Sequence, residues 1–342
     1  MLEFVSGGGL AGRPVPPTLA REGAAMRDAL VADLAAIPGI QVLAAADPRF
    51  PLPPAARAEV TRIERPARLR RLFARADAVW LIAPESRGRL ARLAAAVEAA
   101  GVPLLGPSAD AICMAGNKLQ LARTLATAGV PVPATRAVRL VPAGAHPATR
   151  PGAALPFPLV AKPARGAGCE GVALARTPAE WPRALALAGG AGARGAVLVQ
   201  PYLDGVAASV SLVCDGRRAL PLAVNRQHIR PGAPFAYDGG ETPLDHPLAG
   251  RAIERALAAC SAIPGLRGYV GVDVVLTGAD AVVLEVNPRL TTSYLGLRRA
   301  LDANPAALAL EAALGRLPAA PRAARRVRFL SSGAITGEEA LP

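Results

Sequence analysis

The chain has 342 residues, of which 52% are apolar, and a formal net charge of +13. That length and apolar content specify a globular protein with a sizeable core; each long apolar run is broken by Arg, Asp, Gly or Pro before it could span a membrane. The N-terminus lacks the basic flank and apolar core of a signal peptide. Cys113, Cys169, Cys214 and Cys260 show no C-x-x-C pairing, which leaves no common zinc or redox motif and makes a reducing cytoplasm the expected setting.

In chain order, Leu2–Val5 reads as a short buried strand running into Gly7-Gly8-Gly9. Those glycines lack the G-x-G-x-x-G spacing of a dinucleotide turn, so they read as a tight turn lining a cleft. Met26, Leu30, Leu34 and Ile37 recur at helical spacing until Pro38-Gly39 ends the pattern. Strands are expected at Ile40–Leu43, Ala78–Ile82 and Val102–Leu105, with a helix at Arg87–Ala100. This alternation predicts a parallel α/β unit, Rossmann-like in plan, over residues 1–108.

A single helix is expected over Ala109–Ala128, then a Pro/Gly/Ala-rich surface loop over Val141–Ala154. Helices at Pro178–Ala188 and Pro247–Ala262 alternate with strands at Leu159–Ala161, Ala196–Val199, Val210–Val213, Val270–Leu276 and Ala281–Val286. There is no internal repeat. The dozen residues 331–342, after a basic strand at Arg326–Leu330, read as a partly loose tail. The main domain is therefore expected over 109–330, with one lobe at 109–199 and a second at 200–330.

Nearly all the basic residues are arginines scattered along the chain, with few aromatics between them, which argues against a nucleic-acid surface. Only two lysines, Lys118 and Lys162, and four asparagines, Asn117, Asn225, Asn287 and Asn304, are present. Such usage fits a GC-rich coding background. Survivors then mark positions where guanidinium, a larger planar fork, cannot replace a compact ammonium.

Three constellations carry chemistry. In the first, Leu159-Val160-Ala161-Lys162 is followed by a small-residue loop holding Gly166, Gly168, Cys169, Glu170 and Gly171. Glycines let backbone N–H groups approach phosphate oxygens, and the lysine adds a point charge. The lysine precedes the glycines, so this is not a Walker A loop, and a plain hairpin is the competing reading. In the second, Asp273 and the pair Glu285 and Asn287 sit on adjacent antiparallel strands. Alternation puts Glu285 and Asn287 on one face, where Asp273 can join them as oxygen ligands for magnesium. Flanking Val and Leu argue against a solvent-facing edge, and a buried carboxylate needs a partner. In the third, Val197-Leu198-Val199-Gln200-Pro201-Tyr202-Leu203-Asp204 leaves the sheet through an apolar segment able to expose backbone groups to an adenine edge, although an ordinary strand exit reads the same way.

In this order, with Asn117-Lys118 opening a helix, the elements resemble the ATP-grasp superfamily over nearly the whole chain. The resemblance implies an α/β (α+β) ATP-grasp fold behind an N-terminal α/β domain. It also implies that Lys118 and Lys162 contact ATP phosphates and that the loop Gly166–Gly171 closes over them. Gln200, Pro201, Tyr202 and Leu203 would hold the adenine. Asp273, Glu285 and Asn287 would hold magnesium, or manganese in its place, and Arg289 would neutralise the transferring phosphoryl group. Ala207 stands where many members carry a ribose-binding Glu, which leaves either Asp204 as the substitute or a weak ribose contact.

Glu285-Val-Asn-Pro-Arg-Leu-Thr-Thr-Ser-Tyr294, with Glu22-Gly23-Ala-Ala-Met26 and Val224-Asn225-Arg226-Gln227, is similar to the tyramine–glutamate ligases of methanofuran biosynthesis and their bacterial relatives, where methylofuran is the corresponding one-carbon carrier. That resemblance implies joining of the glutamate γ-carboxyl to tyramine or tyrosine through an acyl phosphate. The implied substrate residues are Arg226, Tyr237, Thr291, Thr292, Ser293 and Tyr294, with Asp238-Gly239-Gly240 as a lid. Small molecules are then the partners, without nucleic acid or membrane, and a homodimer accords with the family. Another carboxylate–amine ligase, a non-catalytic nucleotide-binding regulator and a basic nucleic-acid-binding protein are the rival readings. His146, His228 and His246 are too widely spaced to form a catalytic set.

Overall fold

The computed structural model describes residues 1–51, 58–65, 68–139, 155–166, 168–190 and 196–341. The loop expected at 141–154, with His146, lies outside them. The N-terminal segment contains β1 (Leu2–Glu3), α1 (Pro17–Ala35), β2 (Val42–Ala46), β3 (Ala58–Arg62), α2 (Leu69–Phe73), β4 (Leu81–Ile82) and α3 (Arg89–Ala99). β1 pairs with β4, and β2 with β3, both in parallel. The strand expected at Val102–Leu105 is reduced to one bridge between Leu104 and Val79, because Pro103 withholds a backbone donor. The Gly7–Gly9 turn packs against its own segment. A Cβ on Gly8 would come within 2.5 Å of Ile63, and one on Gly9 within 2.3 Å of Phe4. The glycines buy no ligand contact here; Val5, beside them, is the residue that reaches the cleft.

The single helix expected at Ala109–Ala128 is two, α4 (Ala109–Ala115) and α5 (Lys118–Thr127). Asn117 is extended, and its side chain accepts a hydrogen bond from the Gln120 amide, so it terminates one helix and caps the next. The helical periodicity of the two pieces is continuous enough to hide this break.

Beyond α5 come β5 (Arg136–Val138), β6 (Leu159–Pro163), β7 (Ala173–Ala175), α6 (Trp181–Gly190) and β8 (Val197–Pro201). They form a four-stranded sheet ordered β5-β8-β6-β7, with α6 against it over a small core of its own around Trp181. The rest is β9 (Val206–Asp215), β10 (Ala219–Arg230), β11 (Ala236–Thr242), α7 (Ala249–Ser261), β12 (Arg267–Leu276), β13 (Ala281–Asn287), α8 (Tyr294–Ala300), α9 (Pro305–Ala313), β14 (Arg325–Leu330) and β15 (Ile335–Ala340). Its seven strands run β13-β12-β9-β10-β11-β14-β15, all antiparallel.

Within the tail expected to be partly loose, Ile335–Ala340 is a strand that pairs with β14. One expectation fails in this sheet: Asp238-Gly239-Gly240 is not a turn or lid but the interior of β11. Gly239 has φ +140°, and a Cβ there would lie 2.1 Å from the Phe329 carbonyl oxygen, so the glycine serves close approach to β14. One face of the large sheet packs α7, whose Ala252 and Ala256 share a core with Val210 and Val272. The other face shares a core with α1, α8 and α9, where Met26 and Leu30 meet Tyr269 and Tyr294. At one end that second face opens into a cleft. No described helix is long and apolar enough to cross a membrane.

Candidate active site

The cleft is a cavity of about 640 Å3 walled by the four-stranded sheet, the large sheet and the N-terminal segment. Lys162 reaches it from the end of β6. Lys118, the first residue of α5, stands beside it because its amide donates to the Ala164 carbonyl at 3.1 Å, tying the capped helix end to the loop after Lys162. Both ammonium groups are buried, at 8% and 7% exposure, and both pKa values are lowered, above all by burial. For Lys162, burial and repulsion by Lys118 bring it down to about 7. Lys118 pairs with the Glu285 carboxylate. The Lys162 side chain has no hydrogen-bond or ion-pair partner among the described residues.

Glu285, Asp273, Ser209 and Asn225 stand opposite one another in a lateral row across β13, β12, β9 and β10. Side chains of one row share a face, so the carboxylates meet at the cleft. Asn287 Nδ2 donates to Asp273 Oδ2 at 2.9 Å, and Gln227 Nε2 to Asp273 Oδ1 at 3.0 Å. Burial raises the Asp273 pKa, while Asn287, Lys118 and Gln227 oppose the rise. Two carboxylates and one carboxamide oxygen are hard donors suited to magnesium. That a lysine ammonium already occupies Glu285 indicates a site built for positive charge. Among the described residues no three His, Cys, Asp or Glu side chains gather as a metal site, so the carboxamide is needed to complete the set.

Arg289, also at the cleft, donates to Glu85 at 2.9 and 3.2 Å. Burial works against its charge, but Glu85, with Glu22 and Asp273, more than offsets this and the guanidinium pKa is raised. Glu85 belongs to the N-terminal segment and carried no sequence signal of its own. On the other wall, Gln200 Nε2 donates to Thr135 Oγ1 at 2.8 Å, and Pro201, Tyr202 and Leu203 follow along the cavity edge. Gly168 and Cys169 also line it, and burial pushes the Cys169 thiol up to about 11.

Thr291, Thr292 and Ser293 border the cavity between β13 and α8. Each hydroxyl is engaged: Thr291 Oγ1 with Tyr269 OH at 3.3 Å, Ser293 Oγ with Ser209 Oγ at 3.4 Å, and Thr292 Oγ1 donating to Glu22 of α1. Gly271 makes room for this segment, since a Cβ there would lie 2.7 Å from Thr291 Cγ2. Tyr237 faces the same space, and burial, then Glu22 and Asp273, push its hydroxyl pKa up. Glu22 and Gly23, noted in the sequence only as a similarity, prove to be wall residues, as does Met26 of the helical apolar pattern.

Other sequence candidates lie elsewhere. Tyr294 is fully buried, donates to Asp33 Oδ2 at 2.6 Å and packs edge-on to Tyr269, so it is a core residue. Gly166, Glu170, Gly171, Gly239 and Gly240 do not line the cavity, nor does the exposed Asp204, whereas Ala207 does. Asp238 borders the cavity but its carboxylate pairs with the exposed Arg230, 2.9 Å away. Arg226 alternates with Gln227, so its exposed side chain falls on the opposite face of β10 and only its backbone side meets the cleft. His228 also borders the cavity through an exposed position.

Residues 115–293 match the family model described as an ATP-grasp domain, and residues 40–112 match the pre ATP-grasp 3 domain. Over 101 residues the chain is 40% identical to tyramine–L-glutamate ligase of Methanocaldococcus jannaschii, covering 30% of this chain and 32% of that one. The chain thus spans about a third of the length of these curated relatives. It is 30% identical over 234 residues to D-alanine–D-alanine ligase of Gloeobacter violaceus, covering 64% and 74% of the two chains. A crystal structure from Archaeoglobus fulgidus, described as an ATP-grasp superfamily protein, superposes with a TM-score of 0.69 at 25% identity, over 95% of this chain and 90% of that one.

Proposed function

The chain belongs to the ATP-grasp family, and from that membership we propose that it is an ADP-forming carboxylate–amine ligase joining the γ-carboxyl of glutamate to tyramine or tyrosine. The observation that carries the reading is the convergence of Lys162, Arg289 and the Asp273–Glu285–Asn287 set on one cavity, with Lys118 paired to Glu285 behind its lining. In a chain with only two lysines, that placement is what phosphoryl transfer requires. A site without catalysis would not need the carboxylate row.

Lys118 and Lys162 hold the phosphates of ATP, and Gln200 with the Pro201–Leu203 edge holds the adenine. Asp273, Glu285 and Asn287 would hold magnesium, which when bound would neutralise phosphate charge. Binding of phosphate draws Lys118 from Glu285 and frees that carboxylate. The acid's carboxylate oxygen takes the γ-phosphoryl group, and Arg289, steadied by Glu85, balances the charge on the transferred group. The amine, having given up its ammonium proton to solvent, then attacks the acyl carbon; phosphate leaves with the C–O bond electrons and the nitrogen's second proton is released. No side-chain nucleophile is needed, since the acyl phosphate is reactive and the residues act by positioning and charge. Thr291, Thr292, Ser293 and Tyr237 border the space left for the acid and the amine.

Magnesium-dependent phosphate release from ATP tests the reading, with glutamate and an amine panel that includes tyramine and tyrosine. Turnover that needs both glutamate and one amine is expected. Turnover only with another acid–amine pair would keep the ligase and displace these substrates; ATP binding without turnover for any pair would overturn the ligase.

A further inference from the structure

The cavity is electrically divided. Its phosphate corner carries Lys162 and Arg289, with Lys118 paired to Glu285 behind them, while the wall supplied by the N-terminal segment carries no Lys or Arg among the described residues. That wall is one stripe of α1, Leu19, Glu22, Gly23 and Met26, at spacings of three and four that place them on one helix face. Ile82 and Pro84 face it from the end of β4. The surface is apolar except for its carboxylates.

Those carboxylates differ. Glu3 is satisfied inside its own segment, accepting from the Val5 amide at 3.0 Å and from the Ser6 amide and hydroxyl at 2.6 Å each. Glu22 accepts only from Thr292, through Oε1; its Oε2 has no hydrogen bond and the group has no ion pair among the described residues. Glu22 is half-buried at an apolar cavity wall, and its second oxygen is open to a cation that enters the cavity. Arg289 carries a charge that Glu22 favours, yet three of its five N–H groups go to Glu85 and to the Leu290 carbonyl and none is hydrogen-bonded to Glu22.

We propose that Glu22 and this face of α1 form the amine subsite, and that it takes a primary amine with an apolar body and no carboxylate. The ammonium pairs with Glu22 beside Thr292, and the hydrocarbon body lies along Leu19, Met26 and Ile82. A carboxylated amine of the same shape meets Glu22 and Glu3 with no cation on the wall to receive it, so it is rejected by like charge. This rests on the ligase reading and deepens it, choosing between the two amines left open there.

The test offers the wild-type enzyme, with ATP and glutamate, two pairs that differ only by a carboxylate: tyramine against tyrosine, and 2-phenylethylamine against phenylalanine. Phosphate release is expected to give kcat/KM at least about 100-fold higher for the decarboxylated member, the scale set by placing like charges together in a binding site. Glu22→Gln, which keeps the contact to Thr292, is expected to lower that ratio at least about tenfold, mainly through the KM for the amine. A ratio of two substrates on one preparation does not depend on how much of it is folded. Equal use of both members of each pair overturns the subsite, as does a Glu22→Gln ratio unchanged from wild type. Hydroxylamine, uncharged at neutral pH, separates this failure from that of the ligase: hydroxamate formed from glutamate and ATP shows the acid to be activated whatever the outcome for the amine. Absence of both hydroxamate and phosphate release for every acid tried overturns the ligase and the amine subsite together.

Discussion

Lys162 is held where its own charge is disfavoured, with its pKa brought from 10.5 down to about 7 by burial and by Lys118. A lysine whose folded pKa is depressed binds fewer protons when folded than when unfolded, so between those two values stability rises with pH. Lys118 is shifted in the same direction. Substitution Lys162→Met is therefore expected to flatten, in part, the rise in unfolding free energy between pH 7 and 10, as measured by urea titration at a series of pH values. Phosphate groups reverse the balance, because an opposite charge restores the ammonium. Calorimetry of ATP binding at pH 8 in two buffers of different ionisation enthalpy should then show proton uptake by the wild type and none attributable to position 162 in Lys162→Met. Equal uptake by both proteins would remove Lys162 from the phosphate site.

At the scale of elements, the break between α4 and α5 aims Lys118. Asn117 caps α5 just as Asn304 caps α9, each accepting backbone N–H groups at the start of its helix. Loss of such a cap costs about 1 kcal/mol, whereas Asp caps as well as Asn. Asn117→Ala should therefore lower the unfolding free energy by about 1 kcal/mol, and Asn117→Asp should restore it to within a few tenths. The two should part in nucleotide affinity: the carboxylate of Asn117→Asp adjoins Lys118 and weakens ATP binding despite an intact helix. Chemical denaturation and a fluorescent-nucleotide titration read the two effects separately. An Asn117→Asp protein that binds ATP as the wild type does would leave the cap purely structural. The scarcity of asparagine had marked all four positions alike; two proved to be helix caps, one a buried strand residue bonded to Ser209 and Ser211, and one the partner of Asp273.

Across the whole molecule, the N-terminal segment and the large sheet share a core in which Met26, Leu30 and Leu34 meet Tyr269, Tyr294 and Leu297. Ion pairs cross the same boundary, Glu85 with Arg289 and Asp33 with Arg298. The four-stranded sheet instead has a separate core around Trp181. Buried contact sets how much of a structure opens together. With Trp80 in the shared core and Trp181 in the small one, single-tryptophan variants report the two units. The Trp80 signal should unfold together with the far-ultraviolet circular dichroism of the large sheet, and the Trp181 signal at lower urea. Coincident midpoints for both would show that the cleft couples the sheets more strongly than their separate cores imply.

The sequence by itself was sufficient for whatever is encoded locally or by composition. The strand–lysine–glycine run, the Asp273 and Glu285–Asn287 hairpin, and the hinge after Gln200 are each contiguous, and scarcity singled out both lysines. Local pattern also determined most core strands, because alternation and apolar runs are properties of a few neighbouring residues. It failed where the deciding contact is distant. Asp238-Gly239-Gly240 has turn composition but is strand, since β14 approaches Gly239 from some ninety residues away along the chain. Residues 335–340 have few apolar side chains and become strand only through pairing with β14. Tyr294 sits in the same motif as Thr292, yet Asp33 draws it into the core while Thr292 faces the cleft. Glu22 and Glu85 acquire their places only when the N-terminal segment closes over the sheet, because charge at a cleft is set by what surrounds it in space rather than by what adjoins it in the chain.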